Sequence, residues 1–179
     1  MGNIIIENYP EQKQFFYAET YNHMMSVSKK MAVIINKLIK TSTRHDASKV
    51  ESKIESDLFI AMTPKLKSST YGSEEYKKFL EELKPALDNH YKENRHHPEH
   101  FENGIKGMTL VDLIEMLCDW CAAVERHSDG NILKSIEINQ KRFGYSDELK
   151  QILINTLEQE LPECLPISCR ENNNDTCRS

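Results

Sequence analysis

Apolar residues recur along this chain at intervals of three and four, which is the spacing of one face of an α-helix. No segment alternates apolar and polar positions over the length of a strand. The pattern therefore predicts an all-α protein, folded as a single-domain helical bundle. It places helices at about residues 11–39, 43–62, 73–92, 109–127, 132–141 and 147–161.

Proline, glycine and serine positions mark the predicted breaks. Pro64 disfavours helical geometry at the residue before it, so the second helix is expected to stop there, and residues 65–72 to form a polar loop. Ser73 is a good N-cap for the next helix. Residues 93–107 are predicted to be irregular. The sequence thus predicts a helical domain over residues 1–161 and a disordered, Asn- and Cys-rich tail over 162–179.

The segment that begins at Thr109 carries an acidic line on an otherwise apolar helix. Asp112, Glu115 and Asp119 are three and four residues apart, which places them on one side. Asp112 forms a Thr-x-x-Asp pattern with Thr109 and is predicted to cap the helix. Glu115 is either a solvated surface residue or a residue behind a polar site, and Asp119 is a candidate ligand.

Composition narrows the possible functions. The net charge is −5 over 179 residues, so extended nucleic acid is not expected as a partner. No run is long and apolar enough to span a membrane. The five cysteines are odd in number and favour a reduced, cytoplasmic protein over a disulfide framework. Cys118-x-x-Cys121 is best interpreted as two small buried side chains. An oligomer is possible.

The candidate chemistry lies in the histidines. An adjacent pair, His45-Asp46, offers one nitrogen and one oxygen ligand, and Lys49 follows one helical turn later. Six of the seven histidines fall between residues 23 and 100. Mixed His and Asp ligands suit one or two divalent ions of Mn, Fe, Co, Ni, Mg or Zn. His23 and Asp119 are further candidate ligands of the metal, and His90 and His97 are candidates to bind a second metal ion or a phosphate.

The order of these residues resembles the HD-domain metal-dependent phosphohydrolases, in which a helical bundle holds a metal. The resemblance implies His23, His45, Asp46 and Asp119 as the ligands. Lys49 resembles the lysine of the branch that includes cyclic-dinucleotide phosphodiesterases. Residues 90–100 and 108–116 resemble most closely an uncharacterised family of phage and bacterial proteins, over roughly residues 15–145.

This resemblance implies hydrolysis of a small phosphorylated substrate, most simply a nucleotide, by a metal-activated water. Lys49 and Arg95 are the candidate groups for the phosphate charge, and Glu115 or His97 for proton transfer. A solvent-facing Lys49 and a surface ion pair of Arg95 are the structural alternatives. Two other functions stay open: a metal-containing protein that sequesters a nucleotide without turnover, and a structural metal site in an interaction module.

Overall fold

The structure is a computed structural model that describes residues 10–69, 73–126 and 130–166. Within these ranges the regular structure is helical, without strands, and the predicted all-α class is confirmed. The α-helices are α1 Pro10–Arg44, α2 Ser48–Glu51, α3 Lys53–Ser68, α4 Glu74–Glu93, α5 Leu110–Val124, α6 Ile132–Phe143 and α7 Asp147–Glu160. The chain divides into two compact units, Met1–Thr43 and Arg44–Ser179.

The described part of the first unit is one helix. α1 runs over 35 residues to Arg44, five residues beyond the predicted end near Ile39. Lys40 and Arg44 have good helix propensity, and the hydroxyls of Thr41, Ser42 and Thr43 each donate to a backbone carbonyl of the preceding turn. No residue of Pro10–Arg44 is buried in the described structure.

In the second unit, α3 packs against α4. Met62, Leu83 and Ala86 are the buried residues of this contact, and Leu58, Phe59, Leu66, Phe79 and Leu87 pack around them. The prediction that Pro64 ends the helix was wrong, because α3 continues to Ser68. Pro64 removes one backbone hydrogen bond. However, Leu66 beyond it still packs on the α3–α4 core and stabilises the last turn. Gly72, at the end of the predicted loop, lies outside the described residues.

A second core joins α5, α6 and α7. Its buried residues are Leu117, Cys121, Ile132, Ile136, Tyr145, Leu153, Leu157 and Leu165. Cys121 is therefore buried, as the pattern indicated, whereas the prediction that Cys118 is buried was wrong, because its side chain is exposed. The tail prediction was wrong at its start, because Pro162–Cys164 forms a 3-10 turn and Leu165 joins the core. Residues 167–179, like His127, lie outside the described part.

The segment between α4 and α5 is compact although it lacks an α-helix. It contains 3-10 turns over Pro98–His100 and Gly104–Gly107. A Cβ built on Gly107 would lie 2.8 Å from Cβ of Phe101, so only glycine fits this approach. The predicted capping box is confirmed: the Thr109 side chain accepts from Asp112 N–H, and the Asp112 carboxylate accepts from Thr109 N–H.

None of the described helices combines the length and the apolar character that a membrane crossing requires.

Candidate metal centre

The centre is built around Asp46, which lies in the turn between α1 and α2. Its backbone has φ +57°, the left-handed region that non-glycine residues rarely adopt. The turn is fixed on both sides, since Ala47 N–H donates to Arg44 carbonyl (3.1 Å) and Lys49 N–H donates to Asp46 carbonyl (2.9 Å). Such backbone strain persists where surrounding structure holds it and is concentrated at functional sites. Here it aims the carboxylate at a group of histidines.

Three imidazoles and Asp46 converge on one point. Asp46 Oδ1 lies 3.2 Å from His90 Nε2 and 3.5 Å from His96 Nε2. His90 Nε2 and His97 Nε2 are 2.9 Å apart. One ligand atom from each of the four residues lies within 4.8 Å of the others, so the group could hold a metal ion. α4 supplies His90, and the loop that follows it supplies His96 and His97.

A buried carboxylate orients His90. Glu55 of α3 is fully buried and accepts from Ser48 Oγ at 2.9 Å and from Asn89 Nδ2 at 2.7 Å. Its Oε2 is 3.0 Å from His90 Nδ1. Because a carboxylate only accepts, this contact places the imidazole hydrogen on Nδ1 of His90. The lone pair of Nε2 then faces Asp46, as in the carboxylate–histidine–metal arrangement of known metal sites.

Glu115 of α5 does the same for two other histidines. Its Oε1 lies 3.2 Å from His96 Nδ1 and 3.0 Å from His45 Nδ1. The Nε2 atoms of both rings are thereby left to face Asp46. Within the described structure, the buried atoms Asp46 Oδ1 and His96 Nε2 have no hydrogen-bond partner, although they are only 3.5 Å apart. A bound cation would satisfy both atoms, provided that the His96 ring is neutral and carries its hydrogen on Nδ1.

A second group of possible ligands adjoins the first. His45, His96 and Asp119 place one ligand atom each within 4.8 Å of one another. His45 Nε2 is 3.5 Å from Asp119 Oδ1 and 3.6 Å from Asp46 Oδ2. The His45 and Asp119 side chains are 31% and 22% exposed, whereas those of His90 and His96 are almost completely buried. The cluster is thus closed on one side and accessible to solvent on the other.

The protonation of the cluster reflects its density of charge. Hydrogen bonds to Asp119 and then Glu115 raise the pKa of His45 to about 10. Burial, followed by the charges of His96 and His90, lowers the pKa of His97 to about 3. Burial opposes ionisation of Asp46, but contacts to His90, His96 and Lys49 outweigh it and hold its pKa well below the usual value. Protons compensate the carboxylates here, and a metal ion would replace them.

Lys49 lies at the edge of the centre. Its Nζ is 2.5 Å from Asp46 Oδ2 and 5.6 Å from the centroid of the Phe59 ring. The side chain is about one-third exposed, which leaves room for it to reach a bound anion. Lys49 is therefore close to the cluster, as the sequence predicted, and is engaged with a candidate ligand.

Arg95 and His100 point to other partners. The Arg95 guanidinium makes a bidentate pair with Asp112 (3.0 and 2.9 Å) and lies over the Phe101 ring. His100 Nδ1 lies 3.2 Å from the Tyr91 carbonyl. Both side chains thus hold the 94–108 segment in place, and Arg95 forms its ion pair with Asp112.

His23 lies on α1, in the first unit, and its side chain is exposed. The two groups of possible ligands in the described chain do not include it. Of the other HD-type residues, His45 and Asp119 lie in one group of possible ligands and Asp46 lies in the other, with His45 Nε2 3.6 Å from Asp46 Oδ2. The candidate residues His90 and His97 lie in the group of Asp46.

Two residues of the centre were missed by sequence reasoning. His96 is a member of both ligand groups, and the sequence did not distinguish it from its neighbours in the histidine-rich loop. Glu55 was not considered at all, although its position three residues before Leu58, on the core-facing side of a predicted helix, was a usable signal. An acidic residue on an apolar face needs a buried polar partner.

The fold and this centre define an all-α protein with a candidate metal site of histidine, aspartate and orienting glutamates. A model of a family of unknown function (DUF5662) matches residues 12–164, and the chain belongs to that family. Comparison with curated proteins and with solved structures gave no match.

Proposed function

We propose that this protein is a metal-dependent phosphohydrolase of a small phosphorylated substrate, most simply a nucleotide. The observation that carries the proposal is the convergence of Asp46, His90, His96 and His97, with Lys49 beside them. The resemblance of His45-Asp46 and Asp119 to the HD-domain enzymes supports phosphoester hydrolysis as the reaction. A divalent ion bound at such a site lowers the pKa of a water molecule and polarises a phosphate oxygen.

The residues of the centre fall into three roles in this proposal. Asp46 and the histidines hold one ion, and His45 with Asp119 contributes to a second position. Glu55 and Glu115 keep the imidazole rings in the tautomer that binds metal. Glu115 contacts two rings at once, so we assign it to orientation and not to proton transfer.

Lys49 is the group we assign to the substrate. Charge develops on the non-bridging oxygens of phosphorus during hydrolysis, and a nearby ammonium stabilises it. Lys49 Nζ is anchored by Asp46, whose other oxygen faces the histidines, so both are held at one place. The bidentate pairing of Arg95 with Asp112 favours a structural role for that arginine.

The partial exposure of His45 and Asp119 favours a catalytic site over a structural one. A structural site is normally closed by four protein ligands, whereas a catalytic site keeps a position open for water or substrate. A protein that sequesters a nucleotide would have the same open side. Turnover separates these two functions, because a sequestering protein returns its ligand unchanged.

The experiment is a metal analysis of the purified protein followed by a nucleotide screen with phosphate detection. We expect bound transition metal and release of phosphate from at least one nucleotide. Lys49→Ala should reduce turnover about 30- to 1,000-fold while metal content is kept, by analogy with the loss of a donor to a developing oxyanion. Lys53→Ala is the matched control, since Lys53 pairs with Asp57 on the exposed surface.

Asp46→Ala should abolish both metal binding and turnover, because the carboxylate lies 3.2–3.6 Å from His45, His90 and His96. Stoichiometric binding of a nucleotide that is recovered intact would contradict the enzymatic function and show that the protein sequesters its ligand. Loss of the fold on removal of the metal, without any turnover before it, would favour the structural site.

A further inference from the structure

The first unit presents an apolar helix to solvent. Twelve of the nineteen exposed large hydrophobic side chains in the described chain lie on α1. An isolated helix is marginal in water, and most helices in proteins are stabilised by packing of one face. The described part of this unit contains no second element against which α1 could pack.

Six apolar residues of α1 follow the heptad pattern of a coiled coil, and the other exposed apolar residues of the helix lie outside this pattern. We call the seam the stripe of residues that would face a partner helix in such a coiled coil. Its apolar positions are Tyr17, Met24, Val27, Met31, Ile34 and Leu38. These positions are seven, three, four, three and four residues apart. Thr20 occupies the seam position between Tyr17 and Met24 and divides the interval of seven into three and four. Met24, Val27, Met31 and Ile34, in the middle of this seam, are between 41% and 59% exposed. The seam therefore suits a second helix of the same pattern.

Charge is distributed unevenly between the two ends of α1. Residues 10–26 carry Glu11, Lys13 and Glu19, while residues 27–43 carry four lysines, Lys29, Lys30, Lys37 and Lys40. Parallel pairing of two copies would bring the four lysines of each helix beside those of the other. Antiparallel pairing instead places Lys37 and Lys40 beside the half that contains both glutamates, whereas Lys29 and Lys30, at the middle of α1, lie beside those of the second copy in either orientation.

We propose that α1 is a dimerisation helix that pairs in antiparallel orientation with α1 of a second copy of this chain. The seam itself selects a register, in which Met24 packs against Ile34 of the second copy and Val27 against Met31 of the second copy. This register also brings Tyr17 beside Thr41 of the second copy, so every seam position has a partner. The inference is independent of the metal centre and of the proposed activity.

The first test measures the mass of the full chain by sedimentation equilibrium between about 1 and 100 µM. We expect twice the monomer mass of 20.8 kDa. Ile34→Asp places a charge in the seam and should weaken association by about tenfold or more. Val33→Asp is the matched control, because Val33 is the neighbouring exposed residue outside the seam, and it should change association by less than about threefold.

The second test determines orientation in the wild-type protein. A lysine-reactive cross-linker is applied to mixed ¹⁴N- and ¹⁵N-labelled chains, and cross-links between isotopically different chains are identified by mass spectrometry. The antiparallel register predicts links between Lys13 and Lys40 of the other chain. Along one helix these residues are about 40 Å apart, beyond the reach of a short linker, at about 1.5 Å per residue.

A monomer at 100 µM would overturn the dimer, and equal loss of association in both aspartate variants would overturn the assignment of the seam. Links between Lys13 and Lys13 of different chains would overturn the antiparallel orientation. If circular dichroism shows that Ile34→Asp unfolds, the mass and the cross-links of the wild-type chain still decide the proposal.

Discussion

Replacement of Glu55 by glutamine tests the metal centre at a residue that touches no substrate. In the native protein Glu55 is fully buried, with one oxygen accepting from Asn89 and the other shared by Ser48 and His90. Glutamine keeps the size but replaces one of these oxygens by an NH₂ group. Whichever way the amide is turned, that group faces a donor, so at least one native hydrogen bond is lost.

The larger effect should be on His90. When the Asn89 contact is kept, the amide NH₂ faces Nδ1 of His90, and that nitrogen becomes the acceptor. The ring hydrogen then moves to Nε2, which can no longer bind a metal ion. Loss of such an orienting partner typically weakens metal affinity about 10- to 100-fold, or about 1.4–2.8 kcal/mol. An unsatisfied buried donor should also lower the free energy of unfolding of the metal-free protein by about 1–3 kcal/mol.

The assay is competition for Zn²⁺ or Co²⁺ with a chromophoric chelator, accompanied by urea unfolding of the metal-free protein. Glu51→Gln is the control, because Glu51 pairs with Arg44 on the surface, away from the rings. Its metal affinity should equal that of the wild type. If Glu55→Gln bound metal as tightly as Glu51→Gln, the assignment of Glu55 to His90 would be refuted, whatever the change in stability.

Three further predictions concern the remaining contacts. Tyr145→Phe should lower the free energy of unfolding in urea by about 1–3 kcal/mol, because the phenol donates to the buried Ile136 carbonyl at 2.6 Å; an unchanged midpoint would contradict this. Burial opposes ionisation of Asp112, but Arg95 and the helix cap lower the pKa of this carboxyl below 3.8. The ionised carboxylate therefore stabilises the fold above pH 3.8, and this stabilisation is lost as the pH falls below 3.8. The stability difference between wild type and Asp112→Asn should therefore shrink in acid unfolding, and a constant difference would be contrary to expectation. The pKa of His45 is raised to about 10, so at pH 8 metal binding should release a proton from His45, and His45→Asn should not release this proton. Calorimetry in two buffers of different ionisation enthalpy measures the number of protons released. Equal proton release by the two proteins would exclude His45 as a ligand.

Local signals predicted much of the fold. Ser73 and Thr109 begin α4 and α5 as N-caps, and the apolar spacing placed α6 and α7 to within two residues. These features depend on a few neighbouring residues, which a sequence displays directly. Pro64 shows where local rules fail. Its cost to the helix is local, but the packing that offsets it comes from α4, which lies distant in sequence.

The residues of the metal centre were likewise predictable only in part. The His45-Asp46 pair and Asp119 were predicted from the resemblance of their order to the HD-domain enzymes. Among the loop histidines His97 was predicted but His96 was not, because the choice depends on where residues 94–100 turn relative to α3 and α5. His96 and His97 both face the cluster, while His100 turns towards the Tyr91 carbonyl. An irregular segment has no periodicity that assigns its side chains to one side.

Asp46 shows why the turn after α1 matters for the chemistry. A helical continuation through residues 45–47 would set His45 and Asp46 about 100° apart around one helix axis. Their ligand atoms would then point to different sides. The left-handed conformation at Asp46 breaks the helix and brings the carboxylate within 3.2–3.6 Å of three histidines. Asp46→Gly would relieve this strain but remove the ligand, whereas Asp46→Asn tolerates the same backbone, removes the negative charge and replaces one carboxylate oxygen by an NH₂ group. Loss of metal binding in Asp46→Asn, with the fold intact, would therefore assign metal binding to the carboxylate and not to the backbone of the turn.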